Sequence, residues 1–484
     1  MYSHAIYSRL RTMQHQTLVY VLLICLGVGS GCRQQPVSKA SASGAVDFWL
    51  TNPDRSALFV RRSGTLSFEN DASQNPTITI DESKTFQSVD GFGYTLTGGS
   101  AMLINRMEPK AKAALLQELF STAGNSIGVS YLRISIGASD LDETVFSYND
   151  LPEGQTDANL EKFSLDPDRT HLIPVLKQIL AINPAIKILG SPWSPPTWMK
   201  TNNSSKGGSL KPDYFGTYAQ YLVKYIQGMK AEGIRIDAIT IQNEPLHPGN
   251  NPSMLMLPQD QATFIKNSLG PAFRQSHLDT KIILYDHNAD RPDYPLSVLN
   301  DPEAKKYVDG SAFHLYAGPI EALTAVHNAH PDKNLYFTEQ WVGAPGDLKV
   351  DLGWHVKTLI IGATRNWART VLEWNLAADS KQNPHTIGGC TQCLGAITIE
   401  GSTVTRNSAY YIIATASKFV RPGSVRIAST TSEMLPNVAF KTSEGRIALI
   451  VLNASQSAQT FAIAYQGRSL MTSLSAGSVG TYVW

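Results

Sequence analysis

The hydrophobic positions of this chain change period along its length. Between residues 46 and 86 they come in short alternating runs, Ala57-Leu58-Phe59-Val60 and then Thr77-Ile78-Thr79-Ile80. From about residue 420 to Trp484 the pattern returns, in Val438-Ala439-Phe440, in 447–452, in Thr460-Phe461-Ala462-Ile463-Ala464 and in Thr481-Tyr482-Val483-Trp484. Alternation broken by polar turns predicts the strands of a β-sandwich. Because both chain ends carry it, the two ends are expected to meet in one side domain. The middle of the chain reads differently. Short apolar runs lie at 89–93, 131–136, 186–190, 238–242, 281–285, 311–315, 335–338 and 370–374. Helical periodicity separates most of them, as at 214–232, 259–273, 351–363 and 408–419. Eight strands with intervening helices predict an α/β fold, a (β/α)8 barrel of the TIM type, flanked by the β-sandwich. A doubly wound sheet would need a glycine-rich phosphate loop after an early strand. Gly91-Phe92-Gly93 instead runs on into Tyr94-Thr95-Leu96, with no third glycine and no helix start.

The residues before 46 read as an export segment. Arg9 and Arg11 precede the apolar run 18–26, which is short for a membrane span and has the shape of a signal-peptide core. Val28-Gly29-Ser30-Gly31-Cys32 follows. Small residues directly before a cysteine resemble a bacterial lipobox, in which Cys32 becomes the lipidated first residue. A plain secretory signal with a cysteine near its end is the other reading. Residues 33–45, rich in Ser, Ala and Gln, read as a tether. The expected organisation is a signal peptide over 1–32, the tether over 33–45, sandwich strands over 46–86, the barrel over 87–419 and the rest of the sandwich over 420–484.

Composition narrows the chemistry. A formal net charge of +1 gives no basic excess for nucleic acid and points to a neutral substrate. Cys25 and Cys32 belong to the export segment, which leaves Cys390 and Cys393 as a single Cys-x-x-Cys. A zinc site would need two more ligands at the usual spacing, and a redox motif would need a thioredoxin-like context. In an oxidising compartment the two cysteines are expected to close a small loop as a disulfide. The eleven histidines form no His-x-x-x-His pair, so neither a metal nor a cofactor is expected.

Barrel enzymes place their chemistry at the C-terminal ends of the strands. The fourth predicted strand ends Gln242-Asn243-Glu244-Pro245, and the seventh ends Phe337-Thr338-Glu339-Gln340-Trp341. A lone strand-end glutamate is ordinarily a solvated cap. Two of them, on opposite sides of one barrel mouth, can face each other across a sugar. One then protonates the leaving oxygen while the other attacks the anomeric carbon.

The motifs Asp90-Gly91-Phe92-Gly93, Leu132-Arg133-Ile134-Ser135, Ser191-Pro192-Trp193-Ser194-Pro195-Pro196-Thr197-Trp198-Met199-Lys200, Gln242-Asn243-Glu244-Pro245, Phe337-Thr338-Glu339 and Glu373-Trp374-Asn375-Leu376 resemble those of glycoside hydrolase family 30. The resemblance covers residues 85–420, and the family also fuses a β-sandwich to its barrel. It implies a retaining O-glycosyl hydrolase with Glu244 as acid/base and Glu339 as nucleophile. It further implies that Asn243 bonds the sugar 2-hydroxyl and that Trp193 and Trp374 line the glucose subsite. Arg133 and Tyr316 would lie near the nucleophile, and Asp140 would grip sugar hydroxyls. For Arg133 a structural ion pair, and for His314 a satisfied structural histidine, are readings that stand beside the functional ones. The sequence departs from the glucosylceramidase branch near Gly98, where the lysosomal enzyme has an aspartate. The segment Gly388-Gly389-Cys390-Thr391-Gln392-Cys393 is similar to the endo-β-1,6-glucanase branch, where it would wall the cleft beside Trp374. A neutral β-glucan is therefore the expected substrate, with glucosylceramide as the alternative. A non-catalytic glycan-binding protein would be expected to lack one of the two carboxylates. The expected location is outside the cell, at a bacterial envelope through Cys32 or secreted, with no membrane contact beyond that anchor.

Overall fold

Each apolar run of the middle segment forms a strand: β1 (Gly91–Thr95), β2 (Tyr131–Ile136), β3 (Lys187–Pro192), β4 (Ala238–Thr240), β5 (Lys281–Asn288), β6 (Val308–His314), β7 (Asn334–Glu339) and β8 (Ala368–Asn375). They pair in parallel in chain order, and β8 returns to β1 to close the barrel. The structure, a computed structural model, describes residues 45–484 apart from 63, 65 and 71–74. The predicted signal peptide, nearly all of the tether and Cys32 lie outside the described residues. Among those residues no helix is long and apolar enough to cross a membrane.

Alternation sends every second strand residue into the barrel. Tyr131, Leu189, Ala238, Ile283, Ala312, Tyr336 and Leu372 pack together there as one apolar layer. The intervening residues, such as Leu132, Ile188, Ile239 and Phe337, face outward. They join Leu119, Leu176, Leu222 and Leu359 of the surrounding helices in the main core. Removing this apolar surface from water is the principal stabilising term of the barrel. Two residues beyond each member of the inner layer come Arg133, Ser191, Thr240, His314, Thr338 and Trp374, all buried. The arithmetic fails on β5 alone. Ala312 pairs with Tyr285, but Phe313 pairs with His287, so Asp286 is an extra residue. Such a β-bulge re-aims the side chains around it. Tyr285 and Asp286 both take positive φ, 73° and 71°. Tyr285 turns onto Tyr294 and Phe313, and Asp286 takes the inward place.

Both chain ends build the side domain. Ala45–Thr51 pairs antiparallel with the last strand, Val479–Val483. Thr77–Ser88 runs between Val425–Ser429 and Gln459–Tyr465. The strand Ile447–Leu452 is buried on both faces. Its Ile447, Leu449 and Val451 enter the sandwich core with Phe461 and Ile463, while Ala448, Ile450 and Leu452 join the barrel core. One expectation is corrected here. Of Ala57-Leu58-Phe59-Val60 only Val60 lies in a strand, the two-residue Val60–Arg61, which pairs with Ala45–Thr51. Arg55 and Phe59 take positive φ in a turn, and Phe59 packs on Trp49 and Phe419. The apolar spacing there reflects burial of a turn, which alternation cannot tell from a ladder.

Candidate active site

The site is assembled from the polar layer that follows the apolar one. Arg133 is its hub. Its Nη1 donates to Glu339 Oε2 at 2.5 Å, its Nη2 to Asn243 Oδ1 at 2.6 Å and to Asp286 Oδ2 at 2.8 Å, and its Nε to Ser191 Oγ at 3.0 Å. Thr240 and Thr338 donate their hydroxyls to the two oxygens of Asp286, at 2.7 and 2.6 Å. Asp286 is fully buried. Burial alone would raise its pKa, but the charges of Arg133 and His314 and these hydrogen bonds hold it well below the usual carboxylate range.

Glu244 follows β4 with a positive φ of 44°, a conformation that costs energy in a residue with a Cβ. Its N–H donates to the carbonyl of Asp286 at 3.0 Å, and Asn243 N–H donates to Pro192 O at 2.8 Å. The loop is thereby tied to β3 and β5, so the strain is held by its neighbours. Glu339 ends β7 beside His314. A register shift there sets Phe313 against Phe337 and His314 against Glu339. His314 stands between the two glutamates. Its Nδ1 lies 3.1 Å from Glu244 Oε1 and 3.5 Å from Glu339 Oε1, and its Nε2 lies 3.1 Å from Asp286 Oδ1. Carboxylates face both ring nitrogens, so both carry protons. Burial would lower the pKa of His314, but the charge of Glu339 and the hydrogen bonds to Asp286 and Glu244 push it up to about 10.

Glu244, His314 and Glu339 each offer an atom within 4.8 Å of the others, a spacing that would also suit a metal ion. An imidazolium has no free lone pair, so His314 in its charged form does not ligate. Arg133 and His314 bring two positive charges to three hydrogen-bonded carboxylates, and Asp286 keeps its own negative charge. Two positive charges thus face Asp286, Glu244 and Glu339, and the last two respond differently. Burial raises the pKa of both. At Glu244 the hydrogen bond and charge of His314 prevail and lower it. At Glu339 burial, with the charges of Glu244 and Asp286, outweighs His314 and Arg133 and raises it.

Above this cluster opens a cavity of about 400 Å³. Trp193 and Trp374 form one wall, with ring centroids 5.5 Å apart. Cys390 and Cys393 are joined as a disulfide in the loop after β8, packed with Leu141 against the two tryptophans. Asp140 lines the cavity and accepts the N–H of Cys390 at 3.2 Å. Burial and the charges of Glu339 and Glu244 raise its pKa to about 7. Tyr316 is exposed, yet its hydroxyl donates to Glu339 Oε1 at 3.0 Å. The structure thus brings Glu244, Glu339, Asn243, Arg133, His314, Tyr316, Asp140, Trp193 and Trp374 to one place. The sequence reading missed Asp286, because it ended β5 at Tyr285. An acid close behind a predicted strand end was the available signal. Trp341, His247, Asn250, His287 and Asn288 also line the cavity and were not anticipated.

Residues 89–420 match the family model described as the glycosyl hydrolase family 30 TIM-barrel domain, and residues 423–482 match that of the family 30 β-sandwich domain. The chain is 38% identical over 370 residues to an endo-1,6-β-D-glucanase of Neurospora crassa, covering 73% of this chain and 75% of that protein. It is 32% identical over 436 residues to the lysosomal acid glucosylceramidase of Mus musculus, covering 84% and 83%. The solved structure of the endo-β1,6-glucanase BT3312 superposes with a TM-score of 0.85 at 36% identity, covering 91% of this chain and 99% of that chain.

Proposed function

Because the chain belongs to glycosyl hydrolase family 30, we propose that it is a retaining endo-β-1,6-glucanase that works through Glu339 as nucleophile and Glu244 as acid/base. The observation that carries the mechanism is the meeting of the two carboxylates on one imidazolium, with an oxygen of each within 4.8 Å. Retaining enzymes hold their carboxyl groups about 5–5.5 Å apart, and inverting enzymes leave room for a water at about 6.5–9.5 Å. Arg133 and Tyr316 aim donors at Glu339 and favour its anion, whereas among the described residues the cation beside Glu244 is His314. The balance of burial and charge around the two acids runs the other way, lowering the pKa of Glu244 and raising that of Glu339. The direct donors of Arg133 and Tyr316 carry the assignment, with Glu339 charged and the proton on Glu244. Glu339 then attacks the anomeric carbon, and Glu244 gives its proton to the departing glycosidic oxygen. Formation of the glycosyl ester removes the negative charge of Glu339. The pKa of Glu244 falls with it, so Glu244 can take the proton of the water that hydrolyses the ester. Asn243 gives its Oδ1 to Arg133, which leaves its amide N–H groups for the sugar 2-hydroxyl.

The substrate reading is supported by the two glucanase relatives and by the disulfide loop beside Trp374. The 32% identity with the mouse glucosylceramidase favours glucosylceramide as the second reading. Product analysis on β-1,6-glucan, β-1,3-glucan and detergent-solubilised glucosylceramide, side by side, separates them. β-1,6-Glucan should be cut to oligosaccharides whose new reducing end appears first in the β configuration by NMR. An α-configured first product sinks the mechanism, and turnover of the lipid alone sinks the substrate. Attachment through Cys32 belongs to the same proposal. Cys32→Ser should move the protein from the membrane fraction to the soluble one, and wild-type protein already in the soluble fraction would end that part of it.

A further inference from the structure

The cavity has two unlike halves, and the division follows the barrel. Asp140, Trp193 and Trp341, from the loops after β2, β3 and β7, and Trp374, near the end of β8, line one half. His247 and Asn250 from the loop after β4, with His287 and Asn288 at the end of β5, line the other. Glu244 stands at the border, on the same loop as His247 and Asn250. In a double displacement the proton donor lies beside the oxygen that leaves. The departing group therefore falls among these four polar residues.

His287 is a fixed donor in this half. Leu246 N–H donates to its Nδ1 at 3.4 Å, so a neutral ring carries its proton on Nε2. Burial lowers its pKa to about 4, against the pull of Glu244 and helped by His314 and His247, so the ring is neutral at ordinary pH. No acceptor for Nε2 is found among the described residues, although the ring lines the cavity.

We infer that this half of the cavity is a subsite for the departing sugar, in which His287 Nε2–H donates to one of its hydroxyls and so selects a hydroxylated leaving group over an apolar one. The inference rests on the glucanase reading above. An alkyl chain in this half would leave the polar groups without partners, whereas sugar hydroxyls would meet them. In a β-1,6 bond the departing oxygen sits on a primary carbon, so the departing ring stands one bond further from Glu244 than in a β-1,3 or β-1,4 bond. A polar recess beside Glu244 suits that reach.

The test compares a β-1,6-linked glucose tetramer with β-glucosyl fluoride, whose leaving ion occupies no sugar subsite, using the full chain. In His287→Leu the ratio of kcat/KM between tetramer and fluoride should fall about tenfold or more, mostly through KM. His287→Gln, which keeps an N–H near the position of Nε2, should bring the ratio back to within about threefold of wild type. If His287→Leu does not fold, Asn250→Ala on the partly exposed rim should lower the same ratio. Equal losses on both substrates, or an unchanged ratio, overturn the subsite and leave the glucanase reading standing. Wild-type protein that turns over the fluoride but no β-1,6-glucan overturns that reading, and the subsite with it.

Discussion

Arg133 binds four partners at once, and each depends on the planar fork of its guanidinium. Two of its nitrogens reach Glu339 and Asp286, and it also lies over the face of Trp193, 4.8 Å from the ring centroid. A lysine would keep the charge but reach only part of this set. Arg133→Lys is therefore expected to lower kcat about 10²-fold, the scale of losing one aimed donor in a dry site. A variant with unchanged kcat would return Arg133 to a structural role. Glu339→Ala should lower turnover about 10⁴-fold or more. Glu244→Ala should block glucan cleavage, yet sodium azide should restore turnover of a dinitrophenyl glucoside, whose departure needs no proton. Substantial activity in Glu339→Ala, or failure of azide to help Glu244→Ala, would show the roles to be misassigned. The sequence singled out both glutamates because each closes an apolar strand. Asp286 escaped it because a bulge moved the inward place by one residue.

Among the elements, the loop after β8 brings Gly388, Gly389, Cys390 and Cys393 to the cavity lining. Asn383-Pro384 opens it, Thr386 N–H donates to Asp140 O at 2.9 Å, and Cys390 N–H reaches the Asp140 carboxylate. The disulfide fixes this backbone donor beside the two tryptophans. The double variant Cys390→Ser, Cys393→Ser should keep its fold, because the bond closes only a four-residue segment. Its KM on β-1,6-glucan should rise about 2–10-fold, the scale of one hydrogen bond. A KM equal to wild type in a steady-state assay would mean that Asp140 is placed without the loop. Stoichiometric zinc in purified wild-type protein that is lost in the double variant would mean that the cysteines are ligands.

For the whole molecule, buried acids set how stability varies with pH. Asp168, in the short helix Asp166–Arg169, is buried, accepts the hydroxyl of Tyr148 and lies near Asp142. Burial, with the charge of Asp142, raises its pKa to about 7 from the 3.8 of an exposed aspartate. A raised acid binds its proton more tightly in the folded state. Its contribution is fully present below pH 3.8 and is lost as pH rises through about 7. Asp286 has the opposite sign. Its depressed pKa stabilises the fold above the unfolded value, and that is lost only in strong acid. Asp168→Asn should therefore shrink the drop in Tm between pH 4.5 and 8 by on the order of 2 °C. Thermal melts that keep the full wild-type drop would mean that Asp168 does not titrate in this range.

Strand by strand, the sequence by itself determined the barrel. Eight apolar runs spaced by helical periodicity leave a parallel closed sheet as the way to bury both faces of each strand. It also pointed to Glu244 and Glu339 at the barrel mouth, because a charged residue that follows a buried strand has little else but the mouth to go to. What only the tertiary structure decided is how the charges balance. His314 reads equally well as a core histidine until Glu244, Glu339 and Asp286, which are 70, 25 and 28 residues away, close around its two nitrogens. Phe59 reads as a strand residue until the turn that carries it packs on Trp49. Alternation and strand ends are local and survive in one dimension. A bulge, a charge network or a polar half-cavity depends on partners that are distant in the chain and meet only when the barrel closes.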